Sequence, residues 1–342
     1  MQKIKKISEW VLNKGVLAWT ATLLVWFYII TTLRNGISCD EGYYLMGFLR
    51  EQNTEGMPTD FHAIISALCH FFPDDDIMVF RYLRIIFNIL SLIIFARTSF
   101  VWLSKKKNLQ ISPWAYYPMI ALTGAMSFTF ATPTISYDSL ELIIALLTAS
   151  LLFILISYDN FLIKHVSAFC IGFLLWFACS NYPTAGVCLA ALFTLIFWIE
   201  ASEKKWRLLL IGALGGVTAI IVSHFFIHDM RIWFINMSEI FISTFTEDSK
   251  SRHDAGNIVS SMLVSISKVV AILLPTTAIF TLYFKKVKIA EKIQWIIIIA
   301  ACFFLLVTRD VYKLRGTLLL IPIAILFAKL LAQPSISIKN FL

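Results

Sequence analysis

The sequence alternates long apolar runs with short polar connections, and the apolar runs have the length of membrane-spanning helices. A helix needs about 20 mostly apolar residues to cross a bilayer. About ten segments fit this pattern: 16–33, 78–103, 113–131, 139–157, 165–180, 185–200, 208–228, 259–284, 294–308 and 316–332. The pattern therefore predicts an all-α polytopic protein in which residues 1–342 form a single transmembrane domain.

Composition supports a bilayer as the solvent. Apolar residues make up 59% of the chain, charged residues 15%, and the mean hydropathy is +0.79. Soluble domains are nearer half apolar and a quarter charged. A water-soluble core could not hide this much apolar surface, so soluble function classes are excluded.

The distribution of lysine and arginine predicts the orientation of the chain. With the N-terminus in the cytoplasm, eighteen of the 29 basic residues fall on the inner side and ten on the outer side. This bias follows the positive-inside rule. The net charge of +8 is therefore mainly a topology signal, and we expect no nucleic-acid partner.

The predicted outer connections are where unusual polar groups collect. The outer loop 34–77 opens with the acidic pair Asp40-Glu41 at the mouth of the first span. Arg81 and Arg84 follow in the first turns of the second span. The outer loop 229–257 has the pattern of an interfacial helix followed by a polar segment. Ionisable groups at membrane depth are costly and indicate a functional site.

Three further outer motifs converge on the same membrane face. They are Thr132–Ser139, which leads into the fourth span with Ser136-Tyr137-Asp138-Ser139, then Asn181-Tyr182-Pro183, and Thr308–Arg315, the last outer turn, with Arg309, Tyr312 and Arg315. Carboxylates, arginines and tyrosines on one face are what a reaction of a sugar phosphate needs. The candidate substrate-binding residues are Tyr43, Tyr44, Arg81, Arg84, Asp138, Tyr182, Arg309, Tyr312 and Arg315.

The first four spans resemble the polytopic GT-C glycosyltransferases, which include protein O-mannosyltransferases and lipid A aminoarabinose transferases. The likeness lies in the cytoplasmic N-terminus, the single span and the outer loop that opens with Asp40-Glu41 before Tyr43. The Ser-Tyr-Asp-Ser-Leu motif that leads into the fourth span is similar too. In this resemblance Asp40 matches the catalytic aspartate and Glu41 its acidic neighbour, whereas Arg81, Arg84 and Asp138 match by place alone.

The resemblance implies transfer of a sugar from a polyprenyl-phosphate donor to a glycan, lipid or protein acceptor at the outer face. It implies an integral protein of the bacterial inner (plasma) membrane with an outward-facing site. Asp40 would be the general base, and arginines would stabilise the leaving phosphate. One base and a phosphate leaving group imply single displacement with inversion. No cofactor or metal site is predicted, although Glu41 could orient a helix end or bind a divalent cation.

Other interpretations of these residues stay open. An acidic pair in a loop is often a solvated turn, Asp138 could cap its helix with Ser136 or Ser139, and the two arginines could extend to the headgroups. His224 and His228 have zinc-ligand spacing but lack an obvious third ligand. A lipid-linked oligosaccharide polymerase or a polytopic transporter or flippase are the alternative functions.

Overall fold

The computed structural model describes residues 77–106, 135–181, 183–200, 205–227 and 229–235, with isolated positions elsewhere. These residues are helical apart from short caps and turns. They contain five long α-helices: α1 (Ile77–Val101), α2 (Tyr137–Ser157), α3 (Phe161–Asn181), α4 (Pro183–Glu200) and α5 (Lys205–Phe226). A π-helical segment, Trp102–Lys106, continues α1.

Four helical stretches in the described part are long and apolar enough to cross a membrane: Met78–Lys105, Ser139–Ser157, Phe161–Asn181 and Lys205–Phe226. They confirm the predicted segments 78–103, 139–157, 165–180 and 208–228 to within a few residues. The predicted segment 185–200 coincides with α4, which contains the shorter apolar stretch Leu189–Trp198. The spans predicted at 16–33, 259–284, 294–308 and 316–332, and most of 113–131, lie outside the described residues.

The helices expose apolar side chains and bury polar ones, as membrane helices do. On α1, Tyr82, Ile86, Leu90 and Ile94 form an exposed stripe, while Arg81, Arg84 and Asn88 are buried. On α5 the exposed stripe consists of Trp206, Leu210, Leu214, Val217, Ile221 and Phe225. Exposed apolar stripes of this length would be costly in water but are neutral in lipid. The described part is therefore that of an integral membrane protein.

Helices α1 and α2 lie side by side and run in the same direction. The rings of Phe95 and Phe153 are 5.9 Å apart, and Trp102 stacks on Phe153 at 4.8 Å. Further along both helices, the Lys105 ammonium lies 5.3 Å from the centre of the Tyr158 ring. Because both residue numbers rise together along these contacts, the helices are parallel, and their first residues lie at the same end.

Helices α3 and α5 approach closely and are also parallel. A Cβ atom on Gly172 would collide with the backbone of Gly212, and one on Gly215 would collide with that of Phe169. Further along, the Trp176 indole N–H donates to the Ser223 hydroxyl at 3.0 Å. Small residues at such crossings let two backbones approach within van der Waals contact. The hairpin predicted between the fifth and sixth spans is present, since Gly186 of α4 lies against the backbone of Cys179.

These directions give the described bundle two ends. The arginine end holds the first turns of α1 and α2, the turn between α3 and α4, and the last turn of α5. The lysine end holds Lys105, the α2–α3 turn, the first turn of α3 with Lys164, and the start of α5 with Lys205 and Arg207.

Candidate functional site

A polar face of α1 forms the core of the candidate site at the arginine end. Arg81, Arg84 and Asn88 are only 4%, 3% and 0% exposed. Spacings of three and four residues place them on one helix face, and that face continues to Ser91 and to Phe95, which contacts α2. Arg81 and Arg84 therefore lie within the protein, among packed helices.

Helix α2 adds a buried carboxylate at the same depth. Glu141 is 4% exposed and stands one turn into α2. Counted back from the Phe95–Phe153 contact, Arg84 lies about 16 Å and Glu141 about 18 Å toward the arginine end, at about 1.5 Å per residue. Two guanidinium groups and one carboxylate are thus removed from water in neighbouring helices. Such groups persist in a low-dielectric interior only when other charges or hydrogen bonds compensate them.

The start of α2 is held by a reciprocal cap. The Ser136 hydroxyl accepts a hydrogen bond from the Ser139 N–H at 3.3 Å, and the Ser139 hydroxyl accepts one from the Ser136 N–H at 2.7 Å. Both serines are buried, at 2% and 0% exposure. The cap is therefore made by the two serines, and the helix start does not need Asp138 for it. Position 138 lies in the first turn of α2, on the same helix face as the buried Leu142 and Ala145.

Two uncharged polar side chains extend the buried polar region deeper into the bundle. Asn88 and Thr148 are both 0% exposed. The Asn88 amide and the Thr148 hydroxyl make no hydrogen bond with any residue in the described part. Buried polar groups in native proteins nearly always have a partner, so these two positions are suited to contact water or a polar ligand group.

A second feature of the arginine end is the short helix after α5. The Asp229 carboxylate accepts the Arg231 N–H at 2.9 Å, and the His224 Nδ1 accepts the Met230 N–H at 3.3 Å. The Trp233 ring then lies 5.5 Å from that of Trp176. Residues 230–235 are helical, in agreement with the interfacial helix predicted at the start of the outer loop 229–257. Within the described residues, no three side chains are grouped to hold a metal ion.

Of the predicted site residues, the structure describes the surroundings of Arg81 and Arg84 and the helical position of Asp138. Both arginines are brought to the arginine end beside the start of α2. The remaining predicted residues lie outside the described part of the chain: Asp40, Glu41, Tyr43, Tyr44, Tyr182, Arg309, Tyr312 and Arg315. Their place in the site stays a prediction.

Sequence reasoning missed Glu141, Asn88 and Thr148. The available signal was the carboxylate of Glu141 and the side-chain amide of Asn88, which both lie inside apolar runs that were interpreted only as spans. Their burial depends on helix rotation, which the weak periodicity of nearly uniform apolar helices does not specify. Comparison with protein-family models, with curated proteins and with solved structures found no match.

Proposed function

We propose that this chain is a GT-C-like membrane glycosyltransferase of about ten spans. It would move a sugar from a polyprenyl-phosphate donor to a glycan, lipid or protein acceptor, by a single displacement with inversion. The observation that carries the proposal is the burial of Arg81 and Arg84 on α1 and of Glu141 on the neighbouring helix α2, near one end of the bundle. Arginine side chains in a water-poor site bind phosphate oxygens through forked hydrogen bonds and stabilise the charge of a leaving phosphate.

The proposal gives a role to three buried residues of the described part and to Asp40. Arg81 and Arg84 would bind the donor phosphate at the arginine end, and the Glu141 carboxylate on α2 would partly balance their charge. Asp40, at the mouth of the first span, would accept the proton of the acceptor hydroxyl. The lipid tail would remain in the bilayer, so that only the sugar and the phosphate occupy the polar site.

The orientation of the site is part of the proposal. Lys105, Lys164, Lys205 and Arg207 gather at the lysine end, which the positive-inside rule assigns to the cytoplasm. The arginine end would then face outward in the bacterial inner membrane.

In a cysteine-free background, we expect single cysteines at positions 40 and 231 to react with an impermeant maleimide added outside intact cells. A cysteine at position 205 should react only after the cells are opened, and labelling in the reverse pattern would contradict the outward-facing site.

A substitution that preserves charge tests the role of the arginines. Arg81→Lys and Arg84→Lys retain a cation but lose the planar fork that contacts two phosphate oxygens. Loss of a charged hydrogen bond typically costs about 1.5–3 kcal/mol, so transfer should fall about 10- to 100-fold for each change. The assay is transfer of labelled sugar by purified protein from a panel of polyprenyl-phosphate donors.

The matched control is Arg97→Lys on the same helix. Arg97 is exposed toward the lysine end, where its Nη1 donates to the Tyr117 hydroxyl at 3.3 Å. This variant makes the same arginine-to-lysine substitution at a position outside the proposed phosphate site. Sugar transfer should therefore be unchanged. Equal losses in Arg84→Lys and Arg97→Lys would show a general effect on folding and would remove the phosphate-binding role.

A transporter is the second candidate, and one observation favours it. Asn88 and Thr148 place buried polar groups more than one helical turn deeper than Arg84 and Glu141. Transporters place substrate sites near the bilayer midplane. Uptake of a labelled solute by proteoliposomes without any sugar transfer would favour this function over the first.

A further inference from the structure

The four helices α2 to α5 enclose an apolar cleft in the half of the bundle next to the lysine end. Its volume is about 260 Å³. Leu155, Ile171, Phe197 and Leu209 supply one lining side chain from each helix, and Thr194 supplies the one hydroxyl group among the lining residues. The volume exceeds the roughly 150 Å³ of an apolar cavity that takes up benzene. An extended hydrocarbon chain fits this lining better than a polar molecule does.

Glycines keep the cleft open. Gly172 of α3 and Gly212 and Gly216 of α5 lie in its wall. The close contact of Gly172 with Gly212 draws the two helices together on one side, and the missing side chains leave space beside them. A peptide is a poor occupant here, because its backbone groups would have no hydrogen-bond partners among apolar side chains.

Two cationic side chains flank the cleft where it meets the lysine end. The Lys205 ammonium donates to the Trp198 carbonyl at 2.6 Å and lies 5.1 Å from the centre of that indole ring. Trp198 directly follows the cleft residue Phe197. On the other side, the Arg207 guanidinium lies 5.0 Å from the centre of the Phe161 ring at the start of α3.

The described cations at this end differ in whether a described carboxylate lies near them. Lys164 pairs with the Asp159 carboxylate at 3.3 Å. Within the described residues, neither Lys205 nor Arg207 has a carboxylate within salt-bridge distance. The nearby Trp206 is 71% exposed and Trp198 is 43% exposed, as expected of aromatic rings at a membrane interface.

From this arrangement we infer that the lysine end binds an anionic phospholipid of the surrounding bilayer. One acyl chain occupies the cleft, and the headgroup lies at the end of the cleft that Lys205 and Arg207 flank. This site is separate from the proposed phosphate site. Lys205 and Ser223 stand at opposite ends of α5, about 27 Å apart at 1.5 Å per residue. The inference does not depend on the proposed glycosyl transfer.

Charge dependence is the first test. Purified full-length protein is titrated with phosphatidylglycerol and with phosphatidylcholine of the same acyl chains, and bound lipid is counted by native mass spectrometry. We expect tighter binding of phosphatidylglycerol. Lys205→Gln and Arg207→Gln should each weaken it about fivefold and leave phosphatidylcholine binding unchanged. Lys205→Gln retains a donor for the Trp198 carbonyl, and Arg231→Gln at the arginine end is the control for loss of an exposed charge.

Occupation of the cleft is the second test. Ala213 lines the cleft and is itself exposed, so Ala213→Phe should fill the space without entering the α3–α5 contact. We expect at least about tenfold weaker binding of both lipids, because burial of several methylene groups is lost. The control is Leu214→Phe, one position along the helix on the outer surface, where the side chain is 59% exposed.

Several results would overturn the inference. Equal affinity of the unaltered protein for the two lipids would remove the charge-selective site. Equal losses in Ala213→Phe and Leu214→Phe would show that the cleft is not occupied. Displacement of phosphatidylglycerol by an equimolar polyprenyl phosphate would assign the cleft to the tail of that lipid instead. The charge variants decide the question even if the cleft variant fails to fold.

Discussion

Replacing Gly172 by alanine is expected to destabilise the bundle strongly. A Cβ atom at this position would overlap the backbone carbonyl of Gly212, so α3 and α5 would have to separate. Overpacking of a tight contact typically costs about 1–3 kcal/mol, and a clash with backbone cannot be relieved by a side-chain rotation. We expect a loss of about 3 kcal/mol, measured by unfolding of the detergent-solubilised protein followed by far-ultraviolet circular dichroism.

Gly216 provides a matched control on the same interface. A Cβ atom there would lie 3.6 Å from the Gly172 carbonyl oxygen, an ordinary van der Waals distance. Gly216→Ala should therefore be neutral or stabilise the protein by up to about 1 kcal/mol, since alanine is the better helix former. If Gly172→Ala and Gly216→Ala behaved alike, the close crossing of α3 and α5 would be wrong.

The α3–α5 contact and the α1–α2 contact are built from different kinds of residue. Helices α3 and α5 pack through glycines and small residues, where contact between backbones supplies the attraction that lipid cannot. Helices α1 and α2 instead pack through aromatic rings near the lysine end and carry buried charges near the arginine end. Stability and candidate chemistry are thus placed on different helix pairs, so that Gly172→Ala tests the fold and Arg84→Lys tests the site.

The positions of the described spans could be predicted from hydropathy because each one needs a long apolar run. The segment 139–157 differs from α2, Tyr137–Ser157, by only two residues at its start. The start itself was visible in Ser136 and Ser139, whose spacing is that of a reciprocal cap. Membrane helices satisfy their backbone internally, so that composition alone determines much of their secondary structure.

Rotation and packing could not be predicted in the same way. Helix α5 is apolar on nearly all sides, so its sequence does not specify which face meets α3. That face is set by the fit of Gly212 to Gly172 and of Gly215 to the backbone of Phe169. The choice between buried and headgroup-facing positions for Arg81 and Arg84 was equally open in the sequence. Burial of Glu141 depends on the parallel pairing of α1 and α2, which involves residues about 60 positions apart.

Asp40→Asn is expected to abolish most of the sugar transfer while the protein still folds. The substitution keeps the shape of the side chain but removes its ability to accept a proton from the acceptor hydroxyl. Loss of a general base typically costs about 10²–10⁴-fold in rate. We expect a decrease of this order in kcat for transfer of labelled sugar from a polyprenyl phosphate. Asp40 lies outside the described residues, so this expectation rests on the sequence and on the proposed reaction.

Glu41→Gln separates the two members of the acidic pair. If Glu41 orients a helix end or binds a cation, its loss should reduce transfer less than the loss of Asp40 does. Both variants must elute as monodisperse protein and retain the unfolding temperature of the unaltered chain, so that a change in rate reports chemistry. Near-normal turnover by folded Asp40→Asn protein would eliminate Asp40 as the base. The buried charges of α1 and α2 would then be better explained by a polymerase or a transporter.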